Sequence, residues 1–298
     1  MAAARSPVRY ERHGAVALLT LDQPPVNVLS QKVLESLLER LDQAESDLEA
    51  RAVVLASAAE KAFAAGADIA EMAPLSPEEA RLHSRRGQAV TRRIELLPLP
   101  VIAAVHGVCL GGGCEVALAC DLVVASDDAR FGQPEIQLGV MPGWGGTQRL
   151  PRRIGASRAR RWIYLGSPVS AADAQRDGWV DQVVPRAHLL ETALGLAAEL
   201  ATRSPVALAA AKYAILAAID RGIDEGLSYE LDLWAHLFST QDQKDGMRAF
   251  LEKRTFRPAG RQQWERDSQW FPWESGGTPK TETRPSGKPK KAAASTGT

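Results

Sequence analysis

The chain has 298 residues, of which 45% are hydrophobic and 24% are charged, an ordinary balance for a globular protein with a substantial core. Lys plus Arg and Asp plus Glu are equal at 36 each, so the overall charge does not favour a nucleic-acid-binding class. No apolar run approaches the roughly 18–20 residues of a membrane span, and the N-terminus lacks the apolar core of a signal peptide. We therefore expect no membrane partner.

Strands and helices are predicted to alternate in the first half of the chain. Continuous apolar runs predict strands over 15–22, 52–58, 100–107 and 121–126. Helices are predicted over about 30–48, 76–97 and 113–120, and the chain from 157 to 257 is predicted to be mainly helical. Residues 61–72 are rich in small side chains and are predicted to form a loop. This alternation indicates an α/β layered fold.

Two of these helices have recognisable N-terminal signals. Ser30 can cap the helix that follows it. Ser76 is followed by Pro77 at the first helical position and by Glu79 at the third, which predicts a capping box.

The run "GVCLGGGCEVALACD", residues 107–121, contains three cysteines, Cys109, Cys114 and Cys120. Their odd number argues against a disulfide framework, and their spacing lacks the close pairs of zinc sites. We expect three reduced, buried thiols, a cytoplasmic setting and no metal.

The contiguous glycines of this run do not match a phosphate-binding loop, because no Gly-Lys-Ser/Thr follows and the G-x-G-x-x-G spacing is absent. A glycine at a helix N-terminus can instead bring an unpaired amide to an anionic oxygen. Gly112 would supply one such amide. Gly66 in "FAAGAD" permits an unusual turn that could direct the amide of Ala67 at the same oxygen.

Two glutamates accompany these glycines. Glu115 follows the glycine run, and Glu135 follows a proline in a segment predicted to be extended. Each has a structural alternative: Glu115 could close a capping box at the third helical position or face solvent, and Glu135 could cap a nearby helix. If both face one pocket, their repulsion separates their pKa values and suits proton transfer around a water.

Three ordered blocks, "KAFAAGADIAEM", "PVIAAVHGVCLGGGCEVALACD" and "FGQPEIQLGVMPGWGGTQRLPR", resemble the enoyl-CoA hydratase (crotonase) family, and the likeness covers about residues 10–257. It implies a spiral of ββα repeats over 8–204 and a helical oligomerisation region over 205–257, forming a homotrimer or a dimer of trimers. The remaining segment, 258–298, is rich in Pro, Gly, Ser, Thr and Lys and is predicted to be a disordered basic tail.

The resemblance implies reversible syn addition of water to a 2-enoyl-CoA thioester, in fatty-acid or branched-chain acyl-CoA degradation. The amides of Ala67 and Gly112 would bind the thioester oxygen, Glu115 would activate the water, and Glu135 would deliver a proton to C2. Gly143 matches a position near that water. No cofactor is implied beyond the coenzyme A carried by the substrate.

Substrate contacts are implied at further positions. Lys61, Ala65, Asp68, Ile69, Met72 and Phe250 match positions that line the acyl group or cover the coenzyme A, Phe250 often from a neighbouring subunit. Trp144 stands where many relatives have a small residue. An inward-pointing indole would shorten the pocket and favour short or branched chains, whereas an indole packed on a neighbouring helix would leave chain length open.

Other activities stay open. Methylglutaconyl-CoA hydration would use the same glutamates, and isomerisation, thioester hydrolysis or decarboxylation would reuse the oxyanion site. A nucleic-acid-binding role would draw on the six arginines of 149–161 and on the tail, which from residue 259 has seven Lys plus Arg against four Asp plus Glu. A net charge of +3 is small beside the roughly 6–10 phosphate contacts of a nucleic-acid binder, so we expect no such partner.

Overall fold

The computed structural model describes residues 6–261, and they alternate strand and helix. The strands are β1 (Val8–His13), β2 (Val16–Leu21), β3 (Ala52–Ser57), β4 (Ala62–Ala64), β5 (Val101–Val105), β6 (Val108–Leu110), β7 (Leu122–Ser126), β8 (Arg130–Gly132), β9 (Val169–Ser170) and β10 (Gln182–Val184). The first helices are α1 (Gln31–Ser46), α2 (Ile69–Met72), α3 (Pro77–Leu96), α4 (Gly112–Leu118), α5 (Gly146–Ile154) and α6 (Ala156–Leu165). The later helices are α7 (Ala171–Asp177), α8 (Leu189–Ala201), α9 (Pro205–Asp220), α10 (Ile223–Leu237) and α11 (Gln241–Leu251).

The strands form two sheets. The larger has the order β1-β2-β3-β5-β7-β10, in which only the β1–β2 pair is antiparallel. The smaller has the order β4-β6-β8-β9, with an antiparallel β8–β9 pair. The consecutive pairs β3–β4, β5–β6 and β7–β8 each place one strand in each sheet. This stepping from sheet to sheet is the predicted spiral of ββα repeats.

The main core lies beneath α1, α3, α4, α5 and α6, where β3, β5 and β7 contribute one face of their continuous apolar runs. Their other face packs against α8 in a second core. Strands covered on both faces are expected to be apolar at every position rather than at alternate ones. That explains why the sequence predicted these three strands so closely.

The sequence did not predict β1, an edge strand with the largely polar sequence VRYERH, or the short elements. The segment 61–72 is a loop only in part, because it contains β4 and α2. The segment around Glu135 is not extended but forms a 3-10 helix over Pro134–Leu138. Strands of two or three residues carry too few side chains to show a period, so tertiary pairing decides their structure.

The predicted capping box is confirmed. The Ser76 hydroxyl accepts a hydrogen bond from the Glu79 amide, and the Glu79 carboxylate accepts one from the Ser76 amide. Ser30 also lies at the N-cap of α1, but its side chain makes no capping hydrogen bond. Cys109, Cys114 and Cys120 are buried and free, as predicted.

The close contact between α4 and β4 depends on Gly113. A Cβ at this position would overlap the Ala64 carbonyl oxygen and lie 2.7 Å from the Ala64 Cβ. We predict that Gly113→Ala destabilises the fold by about 1–3 kcal/mol. The added methyl group would push α4 away from the backbone of β4, and both elements are held in place by the core. Thermal unfolding would measure this. The control is Gly195→Ala in α8, where the added methyl meets no atom within 4 Å and should stabilise the helix. Equal melting temperatures for the two variants would contradict the contact.

The last helices form a separate small core. Val206, Ala209, Ala210 and Tyr213 of α9 pack with Leu233 of α10. Residues 262–298, including most of the predicted tail, lie outside the described residues, as do residues 1–5. Within residues 6–261, no helix is long and apolar enough to cross a membrane.

Candidate active site

The glycine run forms the turn from β6 into α4. Gly111 is the N-cap with φ 52°, a conformation that favours glycine, and Gly112 is the first helical residue. Gly66 has φ 105° and lies against this turn, since a Cβ on it would be 3.8 Å from the Gly112 amide nitrogen. The two segments predicted to supply amides, around Ala67 and Gly112, are therefore neighbours at the N-terminus of α4.

A buried asparagine, Asn27, forms hydrogen bonds to the end of β3 and to β4, the strand that leads into the Gly66 segment. The Asn27 side-chain amide donates to the Phe63 carbonyl (2.9 Å) and to the Ser57 hydroxyl (2.7 Å), and its oxygen accepts from the Gln23 amide. Nearby, the Leu29 amide donates to the Gly66 carbonyl. Asn27 was not predicted as a site residue. An isolated asparagine in the loop between β2 and α1 carries no pattern that points to a partner 36 residues away.

Glu115 is the fourth residue of α4 and is 2% exposed, which excludes both the capping-box and the solvent-facing alternatives. Its Oε1 accepts hydrogen bonds from the backbone amides of Trp144 and Gly146, each 2.7 Å long. The loop 143–146 thus fixes this carboxylate. Burial raises the pKa of Glu115, while these amides and the nearby Arg149 charge oppose the rise.

Glu135 reaches the same turn from the 3-10 helix. A Cβ added to Gly111 would be 3.2 Å from Glu135 Oε1, so the glycine leaves the room that this carboxylate occupies. Gln133 is fully buried beside it, and its amide nitrogen can face both Glu135 oxygens at 3.0 and 3.2 Å. Burial raises the pKa of Glu135 to about 7, and the charge of Glu115 adds to the rise. A carboxyl group with this pKa can donate a proton near neutral pH.

Trp144 is 3% exposed, and its indole packs between two glycines. A Cβ on Gly112 would overlap the ring, and so would a Cβ on Gly87 of α3. Both alternatives raised by the sequence are therefore present, because the ring contacts the oxyanion glycine on one side and a neighbouring helix on the other. Trp144 also lines a cavity of about 1060 Å³ between α3, α5 and α9.

The remaining residues predicted to contact the substrate are half-buried near the Gly66 turn or exposed on the protein surface. Ala65 and Ala67 are half-buried beside Gly66, whereas Lys61 is exposed. Asp68 caps α2 by accepting from the Ala70 and Glu71 amides, which gives it a structural role.

Of the predicted acyl-lining residues on α2, Ile69 is 56% exposed and Met72 is half-buried. Phe250, on α11, is 83% exposed. Because its ring is exposed, Phe250 would contact coenzyme A only if the nucleotide, or a neighbouring subunit that binds it, lay against this surface of α11.

Gly143 lies at the start of the loop that holds Glu115. It is half-buried, and its carbonyl accepts hydrogen bonds from the Ser84 hydroxyl (2.6 Å) and the Gln88 side chain (2.9 Å). Ser84 and Gln88 belong to α3, 59 and 55 residues before Gly143, and no local sequence pattern indicates that they meet this loop.

Three of the six arginines of 149–161 bind other parts of the protein. Arg149 pairs with Glu95, Arg153 donates to the Cys120 and Asp121 carbonyls, and Arg158 pairs with Asp177. Part of this cluster therefore serves the packing of α5 and α6 onto the core, and Arg152, Arg160 and Arg161 remain exposed. Among the described residues, no group of three or more His, Cys, Asp or Glu side chains could hold a metal ion.

The chemistry available at this site is acid–base chemistry beside an anion-binding turn. Two carboxyl groups with different environments flank the N-terminus of α4, where unpaired amides stabilise negative charge. Such a site can remove one proton, add another and hold an oxyanion between the two steps.

Comparison with known proteins agrees with this geometry. The sequence model of the enoyl-CoA hydratase/isomerase family matches residues 11–261. A short-chain-enoyl-CoA hydratase of Clostridium acetobutylicum is 44% identical over 83% of this chain and 95% of its own length. A crotonyl-CoA hydratase of Syntrophomonas wolfei is 40% identical over 82% and 94%. The crystal structure of an enoyl-CoA hydratase from Geobacillus kaustophilus superposes with a TM-score of 0.80 and 42% identity, covering 84% of this chain and 97% of that one.

Proposed function

The chain belongs to the enoyl-CoA hydratase/isomerase family, and we propose that it is an enoyl-CoA hydratase acting on short-chain 2-enoyl-CoA thioesters in acyl-CoA degradation. One observation carries the proposal: a buried carboxyl group, Glu115, and a half-buried one, Glu135, flank the glycine turn whose amides can hold a thioester oxygen. Disappearance of the enoyl-thioester absorbance of crotonyl-CoA tests it.

In the proposed reaction, Glu115 takes a proton from water while the water oxygen bonds to C3. The π electrons move through C2 to the thioester oxygen, which the amides of Ala67 and Gly112 stabilise as an enolate. As the enolate collapses, C2 takes the proton from Glu135. The cycle closes when a proton returns from Glu115 to Glu135 by exchange with solvent. These residues supply all proton transfers, so we propose no metal or redox cofactor.

The carboxylate environments support this division of roles. Burial raises the pKa of Glu115, and two short amide hydrogen bonds oppose that rise by favouring the ionised form that a base requires. Glu135, with a pKa raised to about 7, is substantially protonated at neutral pH, as an acid requires. Enoyl-CoA isomerisation, the second candidate, needs a proton moved between two carbons, and the pair could support it only as a secondary activity.

Short chains are favoured because Trp144 fills the space against Gly112. We predict that Trp144→Ala raises the ratio of kcat/KM on C10 enoyl-CoA to that on C4 at least roughly tenfold, since it joins the oxyanion site to the adjacent cavity. Trp144→Phe, which keeps most of the ring, is the matched control. Faster turnover of C10 than C4 by the wild type would contradict a short-chain pocket.

We also propose a homotrimer or a dimer of trimers in a cytoplasmic setting, to which the three free thiols are suited. One face of α10 supports association, because its large apolar side chains are spaced by three or four residues and exposed: Ile223, Leu227, Leu231 and Trp234. We predict a mass of three or six chains by light scattering and dissociation by Leu231→Glu. A monomeric wild type would contradict this.

A further inference from the structure

The catalytic loop 143–146 is held by four side chains that the proposed reaction does not use. They are Ser84, Gln88 and Thr91 of α3 and Arg149 of α5, and we refer to them as the carbonyl clamp. Each donates to a carbonyl of the loop: Ser84 and Gln88 to Gly143, Thr91 and Arg149 to Trp144. The Gly143 carbonyl shares a peptide group with the Trp144 N–H that donates to Glu115, and the Trp144 carbonyl shares one with the Gly145 N–H, whose interaction with Glu115 lowers the pKa of that carboxyl group.

The order of the peptide groups along the loop explains how donors to its carbonyls affect the amides that bind Glu115. The Gly143 carbonyl and the Trp144 N–H form one planar peptide unit, and the Trp144 N–H donates to Glu115 Oε1. The Trp144 carbonyl and the Gly145 N–H form the next unit. The Gly145 carbonyl accepts from the Arg149 amide (2.8 Å), and its unit carries the Gly146 N–H that also donates to Glu115. A donor on each carbonyl both orients and polarises the N–H at the other end of the unit.

Arg149 is the most firmly held member of the clamp. Its Nε and Nη2 each donate to Glu95 at 2.7 Å, a bidentate pair in which both side chains are 15% exposed. This leaves Nη1 directed at the Trp144 carbonyl at 2.9 Å. The guanidinium also packs so closely on Gly145 that a Cβ there would overlap it, and Gly145 has φ 113°. A bidentate carboxylate pair fixes the plane of an arginine in a way that a lysine cannot match.

We propose that Arg149, clamped by Glu95, is a positioning residue for the hydration reaction: it fixes the Trp144 carbonyl and thereby directs the loop amides at Glu115. The inference rests on the proposed function, because it assigns Glu115 the role of base. Arg149 touches neither substrate nor water in this scheme. Its positive charge also opposes the rise in the pKa of Glu115 that burial causes.

Arg149→Met, Arg149→Lys and Arg152→Met test the proposal with crotonyl-CoA. Arg152 is the matched control, since it is exposed on the same helix and donates only to Gln148. We expect Arg149→Met to lower kcat by roughly 10- to 100-fold with little change in KM, because a misdirected base loses rate and not substrate affinity. Arg149→Lys should recover part of the loss, and Arg152→Met should behave as the wild type.

The pH profile separates positioning from a merely structural role. Glu115 must be ionised to act as base, so kcat/KM rises with pH through the pKa of Glu115. Loss of the Arg149 charge should move this rising limb to higher pH in Arg149→Met, while Arg149→Lys should leave it near the wild-type position. If Arg149→Met only lowered stability, the concentration of active enzyme would fall and the rising limb of the pH profile would keep its wild-type position. That result would overturn the proposal.

Thr91→Val provides a second route if Arg149→Met fails to fold. It removes one donor from the Trp144 carbonyl (2.9 Å) while keeping the side-chain volume and the Arg149–Glu95 pair. A reduced kcat at unchanged KM supports the clamp, and an unchanged kcat in both Thr91→Val and Arg149→Lys overturns it. Failure of the proposed function is distinguishable, because the wild type itself would then not hydrate crotonyl-CoA.

Discussion

Replacing Glu115 with glutamine is expected to lower kcat for crotonyl-CoA hydration by roughly 10²- to 10⁴-fold, the usual contribution of a positioned general base. Glutamine keeps the size of the side chain, and its oxygen can still accept from the Trp144 and Gly146 amides. It cannot take a proton from water. The loop 143–146 should therefore stay in place while the chemical step fails.

Steady-state kinetics with wild type and variant measure this effect, and circular dichroism with thermal unfolding checks the fold. Glu199→Gln is the matched control, because Glu199 lies on α8 with its side chain 68% exposed and pairs only on the surface. Substrate binding should survive in Glu115→Gln, since the oxyanion amides are untouched. If Glu115→Gln retained most of the wild-type kcat, Glu115 would not be the base of the reaction.

Replacing Glu135 with glutamine is expected to cause a loss of similar size, roughly 10²- to 10⁴-fold, for a different reason. The amide cannot deliver a proton to C2, so the enolate on the thioester oxygen returns to substrate. Glu135 is also the group that sets the alkaline side of the pH profile. Its pKa is raised to about 7, first by burial and further by the charge of Glu115.

The sign of the pH effect follows from the role of the acid. Glu135 must be protonated for hydration, so on the alkaline side of the profile kcat/KM should fall about tenfold per pH unit well above pH 7. The residual activity of Glu135→Gln should lack this falling limb. In Glu115→Gln the limb should move to lower pH, because one cause of the raised pKa is gone. A wild-type kcat/KM that keeps rising above pH 7 would contradict the assignment of Glu135 as the acid.

The parts of the site that are neighbours in sequence were predicted well. Gly112 and Glu115 lie three residues apart, so one helical turn places both at the same end of α4. The strands β3, β5 and β7 were also clear, because strands buried on both faces carry unbroken apolar runs.

The parts that depend on distant contacts were not predictable in the same way. Glu95 and Arg149 are 54 residues apart, and no local pattern marks either as the partner of the other. From the sequence, Arg149 was instead grouped with the other arginines of 149–161, and nothing in that run distinguishes the one arginine that pairs with Glu95. The capping alternative for Glu115 was likewise decided only by the helix starting at Gly112 and by burial of the side chain.

Trp144 shows why a residue type alone does not fix a role. The sequence allowed either an inward ring or one packed on a helix, and the glycines at 87 and 112 allow both contacts at once. We expect the fit of a long acyl chain to depend on the contact of Trp144 with both glycines, which lie in two segments outside the loop that carries the tryptophan.

The most direct test of the central claim is the rate at which the purified protein removes the enoyl-thioester absorbance of crotonyl-CoA at neutral pH. Glu115→Gln and Glu135→Gln are run in parallel, together with a binding measurement for the CoA thioester. Hydratase chemistry at the described glutamates predicts rapid loss in the wild type and near-complete abolition in both variants. Intact thioester binding with no loss of absorbance in the wild type would contradict it, and would direct attention to methylglutaconyl-CoA and to double-bond isomerisation.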